Sequence, residues 1–178
     1  MKATIETTWV MFGLLAMLSG AAAQTESGAP AAATTLVAPK VPTSDEALAA
    51  WNVFRAEPLT RLDKTQPFLD FIRDSGQVHI VLNNDLLAWM FQPMDNSYKA
   101  TLYAAFLGGN MAAQLASKQS GDNDDVAGMD AALDAYGALR KAHPDFHVPV
   151  FETLAKARAS QHLSQAVKDI EASTPGTP

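Results

Sequence analysis

The stretch "YAAFLGGNMAAQL", which runs from Tyr103 to Leu115, decides how this chain is expected to fold. Side-chain-poor residues recur every four positions in two parallel rows, Ala105, Gly109 and Ala113 in the first and Ala104, Gly108 and Ala112 in the second. Because residues four apart share one face of a helix, these rows form a flat groove along it. Each glycine costs about 1 kcal/mol relative to alanine within a helix, a cost that close contact with a second helix offsets. We therefore predict a helix–helix packing seam, with a kink or a ligand contact to the backbone as the alternatives.

The other faces of the same segment are apolar as well. They carry Leu102, Phe106, Leu107, Met111 and Leu115. The single strongly polar side chain between Leu102 and Ala113 is Asn110. A helix that is apolar on all sides is buried within a protein. The sequence therefore predicts a buried central helix over about 96–118, within an all-α fold that forms a single small bundle of five to seven helices.

Apolar residues three and four apart predict further helices on either side of this segment. The inward-facing positions are Leu48, Trp51, Phe54, Phe68, Phe71 and Ile72 before it, and Met129, Leu133, Tyr136, Val150, Leu154, Leu163, Val167 and Ile170 after it. We expect a bend near Ala159 in the last helix. The run Val78–Leu82 has the composition of a strand, but only the residues at 34–38 resemble a possible partner strand. We therefore favour helix for most of 77–93.

The two ends of the chain have a different composition. Lys2, an apolar core from Trp9 to Leu18 and small residues at Ala21 and Ala23 predict a signal peptide over 1–23, cleaved after Ala23. The apolar core is too short to cross a bilayer of about 30 Å as a helix, although an uncleaved, membrane-tethered form is the alternative. Residues 24–43 predict a flexible linker rich in alanine, proline and threonine, 44–171 the helical domain, and 172–178 a disordered tail. The expected location is periplasmic or secreted.

Composition and charge exclude several function classes. The chain has no cysteine, which excludes thiol catalysis, thiolate-bound zinc and iron–sulfur clusters. Its formal charge is −6, and its lysines and arginines are scattered singly. Binding to nucleic acid depends on basic side chains that neutralise phosphates, so we expect no nucleic-acid partner.

Few residue patterns point to chemistry. The acidic run at 121–125 lacks the glycine and glutamate spacing of an EF-hand, and Pro144 interrupts the pair His143 and His147. We predict no metal, no cofactor and no catalytic residues. The candidate ligand or partner contacts are Trp89, Phe91, Phe106, Asn110 and His79. For each of them core packing is the competing interpretation, and His79 is expected to be a core histidine.

One stretch resembles a known repeat family. In "AALDAYGALRKAHPDF", Ala132, Tyr136, Leu139 and Pro144 resemble the second helix of a tetratricopeptide repeat. The first helix of such a unit would fall on about 114–127, which contains "SGDNDD". The resemblance covers less than a tenth of the chain and does not assign the family, but it implies a helical-hairpin interaction module as one possibility.

Three functional hypotheses follow. The first is an exported binding or interaction protein with a protein partner in the cell envelope, which touches a membrane only if the signal segment is uncleaved. The second is a carrier of a small apolar ligand, with a closed cavity near Trp89, Phe91 and Phe106. The third is an enzyme of unrecognised type, which would need a buried cluster around Asn110, His79 or Asp85. The sequence favours binding over catalysis and does not define the oligomeric state.

Overall fold

A computed structural model describes residues 40–117 and 123–173 of the chain. Within these residues there are six α-helices and no β-strand: α1 Ser44–Ala56, α2 Thr65–Asp74, α3 Asn96–Ala116, α4 Asp125–Ala142, α5 Pro149–Ala159 and α6 Leu163–Ala172. Single 3-10 turns occur at Leu62–Lys64 and Ala88–Phe91. The predicted all-α class is confirmed. The predicted signal peptide, the linker up to residue 39 and the last five residues lie outside the described residues.

Side-chain caps fix where three of the helices begin. The Thr43 hydroxyl accepts from the Glu46 amide at 3.2 Å, and the Glu46 carboxylate accepts from the Thr43 amide at 2.7 Å, which is a reciprocal capping box. Asp95 accepts from the Ser97 amide at 2.7 Å at the start of α3, and Asp124 accepts from the Ala127 amide at 2.9 Å at the start of α4. Each cap satisfies a main-chain donor that has no partner within its helix.

The helices α3 and α4 form the centre of the domain and pack against each other along their lengths. The α1–α2 pair packs on α3, and the α5–α6 pair packs on α4. Eleven residues of α3 between Thr101 and Gln114 are buried. The segment predicted as the central helix is therefore helical over Asn96–Ala116 and buried over most of its length.

Three glycines allow the close approach of neighbouring helices. A Cβ on Gly108 would lie 2.2 Å from Cε3 of Trp51 in α1, and one on Gly109 would lie 2.5 Å from Cβ of Ala131 in α4. On the α4 side of the same contact, a Cβ on Gly128 would lie 2.8 Å from the ring of Phe106 in α3. No real side chain fits at such distances. The predicted packing seam is confirmed, and the glycines of the opening stretch mark helix contacts on two sides of α3.

Three sequence expectations need correction. The helix favoured over most of 77–93 is wrong, because Val78–Leu82 forms neither helix nor strand and only a 3-10 turn follows at Ala88–Phe91. The expected bend near Ala159 is a full break, since α5 ends there and Gln161 has a φ of 64°. The tetratricopeptide resemblance would place a first helix over about 114–127, but α3 ends at Ala116 and α4 begins at Asp125, so the described residues of this range do not form it.

Candidate functional site

The least regular part of the described domain is the connection between α2 and α3. It comprises the 21 residues Ser75–Asp95, and we call it the long connection. Connections longer than about 15 residues with little secondary structure are uncommon in compact domains and are usually functional when ordered. Its length and irregularity make the long connection a candidate functional segment.

The long connection is anchored in the core yet exposes apolar side chains. Leu86, Leu87 and Trp89 are buried, and the Trp89 ring packs edge-on at 5.4 Å from Phe151 of α5. Six large apolar side chains of the described residues are exposed, and the three most exposed lie here: Phe91 at 83%, Val81 at 52% and Leu82 at 48%. Surfaces that bind a partner typically have large, solvent-exposed apolar side chains on a backbone that is held in place.

A side-chain amide of α3 fixes the first part of the connection. Gln114 Oε1 accepts from the His79 amide at 2.9 Å, and Gln114 Nε2 donates to the His79 carbonyl oxygen at 3.0 Å. Asn123 Oδ1 accepts from the Val81 amide at 3.1 Å. Gln114 therefore satisfies both main-chain groups of one residue, as a neighbouring strand would.

Asn110, the lone polar residue of the apolar segment, is fully buried beside this contact. Its Nδ2 donates to Asn123 Oδ1 at 2.9 Å and to Asp125 Oδ1 at 3.4 Å. Its Oδ1 accepts from Gln114 Nε2 at 2.6 Å and from the Asp124 amide at 3.1 Å. All hydrogen-bonding positions of this amide are occupied within the protein, so Asn110 has none to offer a ligand.

The buried carboxyl group of Asp125 closes the same network. It accepts from Asn123 Nδ2 at 2.7 Å. Burial, followed by the neighbouring carboxyl group of Glu171 on α6, raises the pKa of Asp125 from its ordinary value of 3.8 to about 7. Its charge therefore changes near neutral pH, at the junction of α3, α4 and the long connection.

The five candidate contact residues lie in different environments. Trp89 and Phe106 are core residues, and Asn110 belongs to the internal polar network. The His79 side chain is exposed, so the expectation of a core histidine is wrong, and its main chain makes the contact instead. Phe91 is exposed at 83%, so it does not line a closed cavity with Trp89 and Phe106, as the carrier hypothesis required.

A second feature is a groove between α1, α3 and α4. It has a volume of about 230 Å³. Trp51 and Phe54 line it together with small residues of the seam, including Gly109 and Ala131. Binding sites for small organic molecules usually exceed about 300 Å³ and enclose most of the ligand. The groove is smaller than that, and it is the space that the small residues of the seam leave between helices.

A third feature is a polar cluster between α4 and the start of α5. The Tyr136 hydroxyl donates to Glu152 Oε1 at 2.6 Å and accepts from the Val148 amide at 3.1 Å, and Arg140 also bonds to Glu152. The Tyr136 hydrogen bond, then His147 and Arg140, lower the pKa of Glu152. Because these groups pair with one another and connect consecutive helices, the cluster has a structural explanation.

Across 40–117 and 123–173, no three His, Asp or Glu side chains come together as a metal site would require. No helix in this part of the chain combines the length and apolarity needed to cross a membrane.

Sequence reasoning missed Gln114 and Asn123, which carry the polar network. One signal was available: Gln114 lies four residues after Asn110, hence on the same face of α3. A second polar residue on the same face as Asn110, the one strongly polar side chain between Leu102 and Ala113, indicates an internal hydrogen-bonded pair. The contact to His79, 35 residues away, had no signal in the spacing.

The fold defines a class, a small all-α protein with a central helix pair and one long, apolar-exposing connection. Comparison of the chain with protein-family models, with curated proteins and with solved structures finds no match.

Proposed function

We propose that the protein is a protein–protein interaction module that binds its partner through the long connection. The observation that supports this proposal is the exposure of Phe91, Val81 and Leu82 on a segment whose backbone is anchored by Trp89 and Gln114. Exposed aromatic and aliphatic side chains on a fixed backbone lose little conformational entropy on binding. Binding is favoured over catalysis because the polar side chains around Asn110 are engaged with one another.

The proposal includes export of the protein and a mobile attachment of the domain. The signal-peptide pattern over 1–23 supports export, and the Ala-, Pro- and Thr-rich composition of 24–43 supports a tether that lets the domain reach a partner in the cell envelope. Mass measurement of the protein isolated from its native cells tests this part. A chain that begins at Gln24 supports it, and a chain that retains residues 1–23 in the soluble fraction contradicts it.

Site-specific crosslinking tests the binding surface. A photoreactive amino acid replaces Phe91 in the full-length protein in its native cells, and a matched protein carries it at Val53, an exposed position of α1. We expect a protein adduct from position 91 and none from position 53, with the adduct reduced when Val81 is changed to serine. Adducts of equal yield from both positions, or none from position 91, would contradict the proposal.

A further inference from the structure

We propose that the partner is an extended peptide segment with apolar and basic residues, which adds as a β-strand to the free edge of Val78–Leu82. This inference rests on the proposed function and specifies the partner's chemistry. It depends on the hydrogen bonds of this segment, on its side chains and on the charge around it.

One edge of the segment is already occupied. A single amide group, that of Gln114, bonds to both the N–H and the C=O of His79. Such a pair of bonds forms when the two groups of one residue point the same way, as in an extended chain. Two residues further on, the Val81 amide bonds to Asn123 Oδ1 on the same edge. Gln114 and Asn123 thus take the place of a neighbouring strand.

The other edge is free. In an extended chain the main-chain groups of alternate residues point to opposite edges, so those of Val78, Ile80 and Leu82 point away from Gln114 and Asn123. Among the described residues, none accepts a hydrogen bond from the amides of these three residues. Val78 is buried and Ile80 is half-buried, so exposure increases along the segment to Leu82 at 48%. A row of unpaired main-chain groups at the edge of a segment is a template for a strand from another chain.

The side chains and the surrounding charge indicate which strand fits. Val81 and Leu82 are half-exposed and apolar, so an added strand gains burial by presenting apolar residues to them. From Asp74 to Tyr98 the chain has no lysine or arginine, and Asp85 and Asp95 lie in this stretch. Asp124 follows the Asn123 contact. A partner strand with lysine or arginine complements the acidic composition of this stretch and the formal charge of −6 of the chain.

The same charge argues against a second copy of this chain as the occupant. Two copies would bring together like charges on molecules of formal charge −6. A five-residue strand pair also buries far less than the roughly 1,200 Å² that a stable dimer interface needs. Weak, charge-assisted binding of a peptide fits the size of the edge better.

Peptide binding to the full chain tests the proposal. The probe is the heptapeptide Lys-Val-Lys-Val-Lys-Val-Lys, and binding is measured by calorimetry while amide hydrogen exchange is followed by NMR. We expect binding that protects the Ile80 and Leu82 amides from exchange. An analogue methylated on every backbone nitrogen keeps the charge and the side chains but cannot donate main-chain hydrogen bonds, and it should bind at least about tenfold more weakly. An analogue with glutamate in place of every lysine should also bind at least about tenfold more weakly.

Two protein variants complete the test. Ile80→Pro removes an outward N–H and should reduce peptide affinity at least about tenfold, whereas Ile80→Val keeps the N–H and should bind normally. If circular dichroism shows that Ile80→Pro is unfolded, the exchange protection of the Ile80 and Leu82 amides in the unaltered chain tests the proposal instead. Absence of binding, equal binding of the methylated peptide, or binding that leaves Ile80 and Leu82 unprotected overturns the proposal. Sedimentation showing a dimer of the chain alone that Ile80→Pro dissociates also overturns it.

Failure of this inference differs from failure of the proposed function. If a partner crosslinks at position 91 but leaves the Ile80 and Leu82 amides unprotected, strand addition is wrong and the interaction surface stands. If position 91 gives no adduct, the interaction surface itself is wrong.

Discussion

Along the α3–α4 seam, helices approach so closely that a Cβ on Gly109 would lie 2.8 Å from the Ala127 carbonyl oxygen. Along the long connection, by contrast, Val81, Leu82 and Phe91 extend into solvent above a backbone fixed by polar side chains. Both regions depend on α3, which contributes glycines to the first and Gln114 to the second. The helix α3 therefore has two uses: its small residues stabilise the domain, and Gln114 near its end positions a surface that the domain does not bury.

The largest effect should come from adding volume to the seam. Gly109→Val places a side chain against Ala131 and the Ala127 carbonyl oxygen, so α4 must move away. Overpacking of this kind costs about 3 kcal/mol, well above the few tenths gained in helix propensity. Urea unfolding measures the loss in the free energy of unfolding.

The matched control for the seam is Gly137→Val. Gly137 lies within α4 as Gly109 lies within α3, but a Cβ at Gly137 meets nothing within 4 Å. The same substitution should therefore change the free energy of unfolding by less than about 0.5 kcal/mol. Equal losses at the two glycines would show that helix propensity, and not close packing, explains the small residues.

The second effect should be confined to the connection. Gln114→Leu removes both hydrogen bonds to His79 and one to Asn110. Leaving buried polar groups unpaired costs about 2 kcal/mol, and exchange of the His79 amide should accelerate. Gln165→Leu on the exposed face of α6 is the control and should change the free energy of unfolding by less than about 0.5 kcal/mol. Unchanged exchange at His79 would mean that Gln114 does not fix the connection.

The seam and the connection also differ in how far the sequence predicts them. The seam was readable because Ala105, Gly109 and Ala113 repeat with the period of a helix, and a local period is enough to specify one face. The connection was wrongly predicted to be mostly helix, because Val78–Leu82 has the composition of a strand but the sequence offers it no partner strand within 44–171. Its partners are the side chains of Gln114 and Asn123, which are distant in sequence. When side chains, and not a second strand, bond to the main chain of a segment, the sequence shows no periodic pattern for the partner. The exposure of Phe91 was likewise hidden, since an aromatic residue beside the buried Trp89 suggests core by composition.

A smaller effect depends on pH and on the junction of the two regions. Burial and Glu171 raise the pKa of Asp125 to about 7, above its value in the unfolded chain. The folded state therefore binds this proton more tightly, so ionisation of Asp125 costs stability above pH 7, and that cost disappears as the pH falls from about 7 to about 4. Asp125→Asn, which mimics the protonated acid, should be about 1 kcal/mol more stable than the unaltered protein at pH 8.

Urea unfolding at pH 5, 6, 7 and 8 measures this effect. The difference between Asp125→Asn and the unaltered chain should shrink towards pH 5, and because the histidines are common to both proteins, their titration cancels in the difference. A difference that is constant across this range would show that Asp125 does not change its charge there.

The smallest effect on stability should accompany the largest effect on binding. Phe91 is 83% exposed, so Phe91→Ser removes almost no buried surface and should change the free energy of unfolding by less than about 0.5 kcal/mol. A binding surface should lose affinity when its most exposed aromatic side chain is removed, by about tenfold or more against the partner that crosslinks at this position. The paired measurements are urea unfolding and affinity of the purified variant for that partner. A loss of stability of 2 kcal/mol or more would place Phe91 with the core residues of the seam, because only a side chain that is buried in the folded protein can contribute that much.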